Sequence, residues 1–92
     1  MRYEWDEEKN RSNHEKHGVR FEDAPAVFAG PCVTFEDNRV DYGEERFITL
    51  GRLDGRTVVI AHTLRGAANR IISMRKANRR EKEIYEKRLG AD

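Results

Sequence analysis

Cysteine and long apolar runs are scarce in this chain of 92 residues. Cys32 is the only cysteine, so the chain can form neither an internal disulfide bond nor a zinc site made of several thiolates. No apolar run approaches the roughly 18 residues that a membrane-spanning helix needs. Residues 1–6 also lack the apolar stretch of a signal peptide. The sequence therefore predicts a cytoplasmic protein with no membrane partner.

The net charge is small, at +1, but charge is distributed unevenly along the chain. Residues 1–50 carry twelve acidic and seven basic side chains, whereas residues 51–80 carry eight Lys or Arg and one acid, Asp54. A face built from this second segment would be strongly positive, as phosphate-binding surfaces are. The alternative is a solvated surface without a ligand.

Two helices are predicted near the amino terminus. Asp6 can cap a helix that runs to about His17, and Gly18 supplies the left-handed residue that often ends a helix. A second, short helix is predicted over residues 24–29, with Pro25 in its first turn, where a missing N–H is tolerated. The acidic residues 36–45 that follow are most simply a solvated loop, although charge complementarity to a basic partner is an alternative.

Four strands and a last helix are predicted in the remainder. The strands, each rich in Ile, Val, Thr or Phe, are residues 32–35, 46–52, 57–63 and 70–76. Short links such as Asp54-Gly55 favour an antiparallel meander. Asn78 and Glu81 have the spacing of a capping box for a helix that ends near Leu89. The order predicts one α+β domain over residues 1–92, with helices packed on a four-stranded antiparallel sheet.

Side chains in the fourth strand should alternate between the two faces of the sheet. Ile72 and Met74 are expected to face the helices, which leaves Ser73 and Arg75 on the open side. The ends of the strand carry two further cations, Arg70 and Lys76.

The basic segment contains the residue types that metal-independent RNA cleavage needs. When the 2′-OH of RNA attacks the adjacent phosphorus, cations stabilise the developing phosphorane and a proton carrier assists. His62 has a suitable unperturbed pKa, and Arg75 beside Arg79 or Arg80 would hold phosphate. Two-metal nucleases gather carboxylates around Mg²⁺, but this segment has only Asp54. We therefore expect no metal and no cofactor.

The histidines and aromatic residues have simpler interpretations as well. A lone His at a strand end is more often a hydrogen-bonded structural residue than a catalyst. Four aromatic side chains could stack on bases, but they lie among apolar positions and are predicted to be core residues: Trp5, Phe21, Phe28 and Phe47.

Short motifs along nearly the whole chain resemble the BrnT family of toxins. They include Glu4-Trp5-Asp6, Lys16-His17-Gly18-Val19, Val27-Phe28, Gly43-Glu44-Glu45-Arg46-Phe47, His62-Thr63, Arg65-Gly66, Arg70-Ile71-Ile72-Ser73, Arg75-Lys76-Ala77 and Glu81. The resemblance implies a RelE-like fold and ribonuclease activity that arrests translation. It also implies neutralisation by a BrnA-type antitoxin with a ribbon-helix-helix domain, so that contact with DNA is only indirect.

The positions that match the family's site are His62, Arg65, Arg70, Ser73, Arg75 and Tyr85. We predict an RNA endonuclease in which Arg75, Arg65 and Arg79 hold phosphate and His62 or Tyr85 moves protons. The residues predicted to bind or steer the RNA are Arg70, Ser73, Lys76 and Arg80. Two other hypotheses use the same basic face: a non-catalytic nucleic-acid-binding module and a protein-interaction domain.

Overall fold

The structure is a computed structural model that describes residues 1–89. In chain order these residues form β1 (Arg2–Glu4), α1 (Glu7–His17), α2 (Ala24–Ala29), β2 (Cys32–Glu36), β3 (Phe47–Leu53), β4 (Arg56–Arg65), β5 (Ala68–Lys76) and α3 (Arg79–Leu89). A 3-10 turn, Phe21–Asp23, precedes α2. None of the helices within residues 1–89 has the length and apolar character needed to cross a membrane.

The predicted helix signals are confirmed in α1. The Asp6 carboxylate accepts hydrogen bonds from the backbone N–H groups of Glu8 and Lys9, at 2.9 and 3.3 Å, which satisfies two donors that the helix leaves free. Gly18, with φ of 74°, ends the helix in the left-handed conformation. Local capping chemistry therefore sets both ends of α1.

The sheet has five strands in the order β1-β5-β4-β3-β2. Strands β2 to β5 pair antiparallel as predicted, but β1 pairs with β5 in parallel, with Arg2 opposite Ala68. The predicted four-stranded, purely antiparallel sheet is therefore wrong in this detail. A segment of three residues is too short for an alternating pattern to be visible, and its partner is far away in the sequence.

Helices cover both faces of the sheet. Helix α2 packs over Val58 and Ile60 of β4 and α1 packs against β5, whereas Tyr85 of α3 packs with Val59, whose side chain points to the opposite face. We call this second face the α3 face. It is the side expected to be open, so α3 covers part of a surface that the sequence predicted to be free.

A β-bulge changes the predicted alternation in β5. Ala61 lies opposite Ser73 and His62 lies opposite Ile71, so Ile72 is an extra residue in the ladder. Residues directly opposite each other share a face. Ile71 therefore joins Met74 in the core beneath α1 and α2, although the uninterrupted alternation predicts the other face. The bulge also places Arg70 on the α3 face, together with Ser73 and Arg75.

The predicted aromatic core is largely confirmed. Phe21 is fully buried, and Trp5 and Phe28 are partly buried against the same cluster. The Phe47 ring lies 5.8 Å from the ring of His62, centroid to centroid. These rings fill space between elements, as expected for core residues.

Candidate functional site

Arg75 and Glu81 form a bidentate ion pair on the α3 face. The two terminal guanidinium nitrogens of Arg75 donate to the two carboxylate oxygens of Glu81, each at 2.8 Å. Hydrogen bonding to Glu81 raises the pKa of Arg75, and the same bonds lower the pKa of Glu81. Arg75 keeps 41% of its side chain exposed. Since Arg has five N–H donors, Arg75 retains donors for a ligand.

The same carboxylate also caps α3. The backbone N–H of Asn78 donates to Glu81 at 2.9 Å, and the backbone N–H of Glu81 donates to the Asn78 side chain at 2.8 Å. The predicted capping box is thus confirmed. Because Glu81 belongs to both the cap and the ion pair, the position of Arg75 depends on how α3 begins.

Two other arginines of the predicted site are also paired with carboxylates. Arg70 donates to Glu4 of β1 at 2.9 Å, and Arg65 lies 3.7 Å from Glu44 in the loop between β2 and β3. Glu4 can reach Arg70 because β1 joins the sheet beside β5. Exposed pairs of this kind contribute little to stability, so phosphate can compete with the carboxylates for these arginines.

The three arginines form a row along the strands. Arg70 lies opposite Thr63 and Arg75 lies opposite Val59, while Arg65 ends β4. Val59, which lies opposite Arg75, is six residues before Arg65 in β4. At about 3.3 Å per residue, the two positions are therefore roughly 20 Å apart along the strand. Ser73, half-buried, lies between Arg70 and Arg75. Such a row is long enough for several nucleotides of an extended strand.

A further cation near Arg75 was not predicted. Arg39, in the loop after β2, donates two hydrogen bonds to Asp37 at 2.8 and 2.9 Å, which lower the pKa of Asp37 to about 2. The charge of Arg39 also contributes, after Arg75, to the lowered pKa of Glu81. Nothing in the local sequence of this acidic loop indicates that Arg39 lies near Arg75, because this proximity depends on the tertiary fold.

His62 lies on the other face of the sheet, beneath α2. It is 5% exposed, and the Phe28 ring packs edge-on at a centroid distance of 4.9 Å. Its Nε2 bonds the Thr49 hydroxyl at 2.7 Å and its Nδ1 bonds the Asn69 side chain at 2.9 Å. Burial lowers the pKa of His62, an effect that the bond with Asn69 opposes. The structure therefore separates His62 from Arg75 by the thickness of the sheet.

Tyr85 is likewise engaged in packing. It is 1% exposed, and its hydroxyl donates to the carbonyl oxygen of Pro31 at 2.7 Å. This contact joins α3 to the start of β2. The hydroxyl that was predicted to move a proton is thus a buried anchor in this conformation.

The remaining predicted residues are exposed cations near the end of β5 and the start of α3. Lys76 ends β5, and Arg79 and Arg80 lie in the first turn of α3. The Arg79 side chain is 95% exposed and has a long contact of 3.6 Å with Glu83. Among residues 1–89, no cluster of three or more His, Cys, Asp or Glu side chains could hold a metal ion.

One protein family matches residues 5–81 of the chain, and its description is "Ribonuclease toxin, BrnT, of type II toxin-antitoxin system". The match covers every strand from β2 to β5 and the first turn of α3 as far as Glu81. No curated protein matches the chain.

Proposed function

The chain belongs to the BrnT family of ribonuclease toxins of type II toxin-antitoxin systems, and on that premise we propose that its α3 face binds and cleaves RNA without a metal ion. Family membership implies an RNA target and an antitoxin partner. The single observation that carries the proposal is Arg75: a half-exposed guanidinium held by two short bonds to Glu81, in a row with Arg70 and Arg65.

The row of arginines supports a mechanism that uses the substrate's own 2′-OH. In that reaction the 2′-oxygen bonds to phosphorus, the 5′-oxygen leaves, and a 2′,3′-cyclic phosphate remains on the upstream fragment. Arg75 would stabilise the added negative charge of the phosphorane, for which a fixed, permanently charged donor is suited. Arg65, Arg70 and Ser73 would hold flanking parts of the RNA. Lys76, Arg79 and Arg80 would attract the substrate.

The proton carriers are a separate part of the proposal. His62 and Tyr85 would act only if their buried hydrogen bonds opened, because each polar atom is engaged in the present conformation. Substituting His62 by Gln and Tyr85 by Phe tests this role. A loss of the catalytic rate constant that exceeds the loss of folded protein would support proton transfer, whereas full activity of both folded variants would remove it.

We further propose that the partner is a BrnA-type antitoxin with a ribbon-helix-helix domain, that the toxin contacts DNA only through this partner, and that RNA cleavage arrests translation in the cytoplasm. Expression of the chain alone should then stop growth, and co-expression of the antitoxin should restore it. Undiminished growth at high expression of the folded chain contradicts a toxin.

A cleavage assay with purified protein tests the central proposal. Wild type should cut single-stranded RNA, and Arg75→Ala should be slower by about 100-fold or more, the scale of losing one donor to a developing oxyanion. Arg11→Ala, which removes an exposed cation of α1, should retain wild-type activity. Equal rates for wild type and a folded Arg75→Ala protein would mean that the active site lies on another face.

The second candidate function is a non-catalytic RNA-binding module on the same face. The engagement of His62 and Tyr85 in buried bonds favours it, because a module that only binds RNA needs no mobile proton carrier. Salt-dependent RNA binding by wild type, with no cleavage products under any condition, identifies this case.

A further inference from the structure

A second basic site lies at the hairpin end of the sheet. It is a pocket of about 340 Å³ between the β3–β4 hairpin, the end of β5 and α3. Four cations line it: Arg52, Arg56, Lys76 and Lys82. We call it the hairpin pocket. Only Lys76 among these residues was predicted to contact a ligand, because the other three lie on separate elements.

The charges of the hairpin pocket are largely uncompensated. Its lining has one carboxylate, Glu86, against the four cations. Within the part of the chain that the structure describes, none of the four forms an ion pair. Arg65, Arg70 and Arg75, in contrast, each have a carboxylate partner. The hairpin pocket can therefore attract an anion without first releasing a carboxylate of residues 1–89.

Contacts with buried residues fix the positions of Arg52 and of one wall of the pocket. The Arg52 guanidinium lies 5.9 Å from the centroid of the Tyr85 ring, within the range of a cation–π contact, and Tyr85 is itself anchored to Pro31. At the wall of the pocket, the backbone N–H of Ala77 donates to the carbonyl of Thr57 at 2.9 Å. These contacts restrict the Arg52 side chain and the wall formed by Thr57 and Ala77 before a ligand binds, which lowers the entropic cost of binding.

The pocket lies beyond the Arg75 end of the row of arginines, where α3 covers the sheet through Tyr85, which packs on Val59 and Ala77. Along β4, Arg65 is followed by Thr63, which lies opposite Arg70, and by Val59, which lies opposite Arg75. The next β4 residue on that face is Thr57, which lines the pocket. Thr57 is two residues beyond Val59, or about 7 Å along the strand. Lys76 directly follows Arg75 in the chain. Because α3 buries Val59 and Thr57, an RNA strand would pass from Arg75 to the pocket over the exposed first turn of α3 and not along β4 itself.

We propose that the hairpin pocket binds a backbone phosphate of the RNA substrate beyond the phosphate held at Arg75. This inference rests on the proposed function, since it gives the RNA its path past Arg75. The lining favours phosphate over a base because its ligand groups are ammonium and guanidinium donors, with Ala77 as the only apolar side chain. Such contacts bind all sequences alike and position the strand for cleavage.

Binding to an uncleavable RNA tests the pocket independently of catalysis. An oligonucleotide methylated at every 2′-oxygen has no nucleophile, so its affinity reports binding alone. The double variant Arg52→Gln/Arg56→Gln should bind it about tenfold more weakly, and the plot of log affinity against log salt should flatten by about 0.7 for each phosphate that the variant no longer neutralises. Arg11→Gln/Arg20→Gln, which removes two exposed cations outside the pocket, should match wild type in both measurements.

Cleavage kinetics then test whether the pocket contributes to the binding of a cleavable RNA. The pocket variant should raise KM for a long RNA by about tenfold with little change in kcat, and should cleave a dinucleotide like wild type, because a dinucleotide has no second phosphate to bind. If wild type cleaves nothing, the proposed function fails, but the binding measurement still decides about the pocket. Unchanged affinity and salt dependence in the pocket variant overturn the inference. A variant that keeps RNA affinity but loses the antitoxin complex overturns it too, and assigns the pocket to a protein interface.

Discussion

Arg75 and Glu81 join the last strand of the sheet to the first turn of α3 through two hydrogen bonds of 2.8 Å. The Glu81 carboxylate also accepts from the backbone of Asn78, so one side chain caps a helix and orients the arginine on which the proposed chemistry depends. Stability and activity are therefore linked at Glu81.

Substitutions of Glu81 separate the cap from the ion pair. Glu81→Ala removes the ion pair and the capping bond from the backbone of Asn78, but leaves the Asn78 side chain bonded to the backbone N–H of residue 81, and should lower the free energy of unfolding by about 1 kcal/mol. Glu81→Gln keeps an acceptor for Asn78 and should lose less than about 1 kcal/mol. Urea denaturation measures both, with Glu83→Ala on the exposed side of the same helix as the control. Equal losses for Ala and Gln would show that the bond from the Asn78 backbone to the side chain at position 81 contributes nothing.

The burial of His62 leads us to predict that the protein loses stability in mild acid. Burial lowers its pKa in the folded state below the ordinary value of 6.5, so between these two values the unfolded chain binds a proton that the folded chain does not. Stability is therefore full above about 6.5 and falls as the pH decreases toward the lowered folded-state pKa. The carboxylates with lowered pKa values, such as Asp37 and Glu81, act in the same direction at lower pH.

The measurement is the free energy of unfolding at pH 7.5 and at pH 5.5. Wild type should be less stable at the lower pH, by at most about 1.4 kcal/mol for each unit between the two pKa values. His62→Gln should reduce this difference, although it lowers stability at both pH values. His14→Gln, on the exposed side of α1, is the control and should behave like wild type. The same pH difference in His62→Gln and wild type contradicts a role for His62 in the acid sensitivity.

The close packing of α2 on the sheet at Gly51 leaves no room for a larger side chain at this position. A Cβ atom at Gly51 would clash with Cγ1 of Val27, which is fully buried. Gly51→Ala should therefore destabilise the protein by about 1–3 kcal/mol through overpacking. Gly30→Ala is the matched control, since its nearest neighbour would lie at 3.8 Å, and it should change stability by less than about 1 kcal/mol. Thermal denaturation of the two variants distinguishes them.

The proposed mechanism makes a prediction about metal ions and the nucleophile. Cleavage should persist in excess EDTA, because arginines supply the positive charge, and a single 2′-deoxy substitution at the scissile nucleotide should block it. Raising the salt concentration should weaken cleavage because phosphate contacts release counterions. Activity that disappears in EDTA and returns with Mg²⁺ would falsify this mechanism, as would cleavage of the 2′-deoxy substrate.

Elements with local signals were predicted well. The cap at Asp6, the left-handed Gly18 and the capping box of Asn78 and Glu81 depend on residues within four positions of one another, so the sequence alone locates them. The four longer strands were found for the same reason. Their composition and short turns are visible in a narrow window of sequence.

Long-range features were missed or misassigned. Strand β1 exists because residues 2–4 find the edge of β5, and the bulge at Ile72 reflects the register between two strands. The bulge turns Ile71 into the core and places Arg70 with Arg75. A pattern with a period of two cannot indicate where one extra residue will interrupt it.

The sequence by itself determined the α+β class, the family and the arginine-rich segment that the candidate site uses. The tertiary structure alone decided which arginine meets which carboxylate, on which face His62 is buried, and that Arg52, Arg56 and Lys82 converge with Lys76 in one pocket. The reason is physical: charge and propensity belong to individual residues, whereas pairing and burial depend on which distant segments pack against each other.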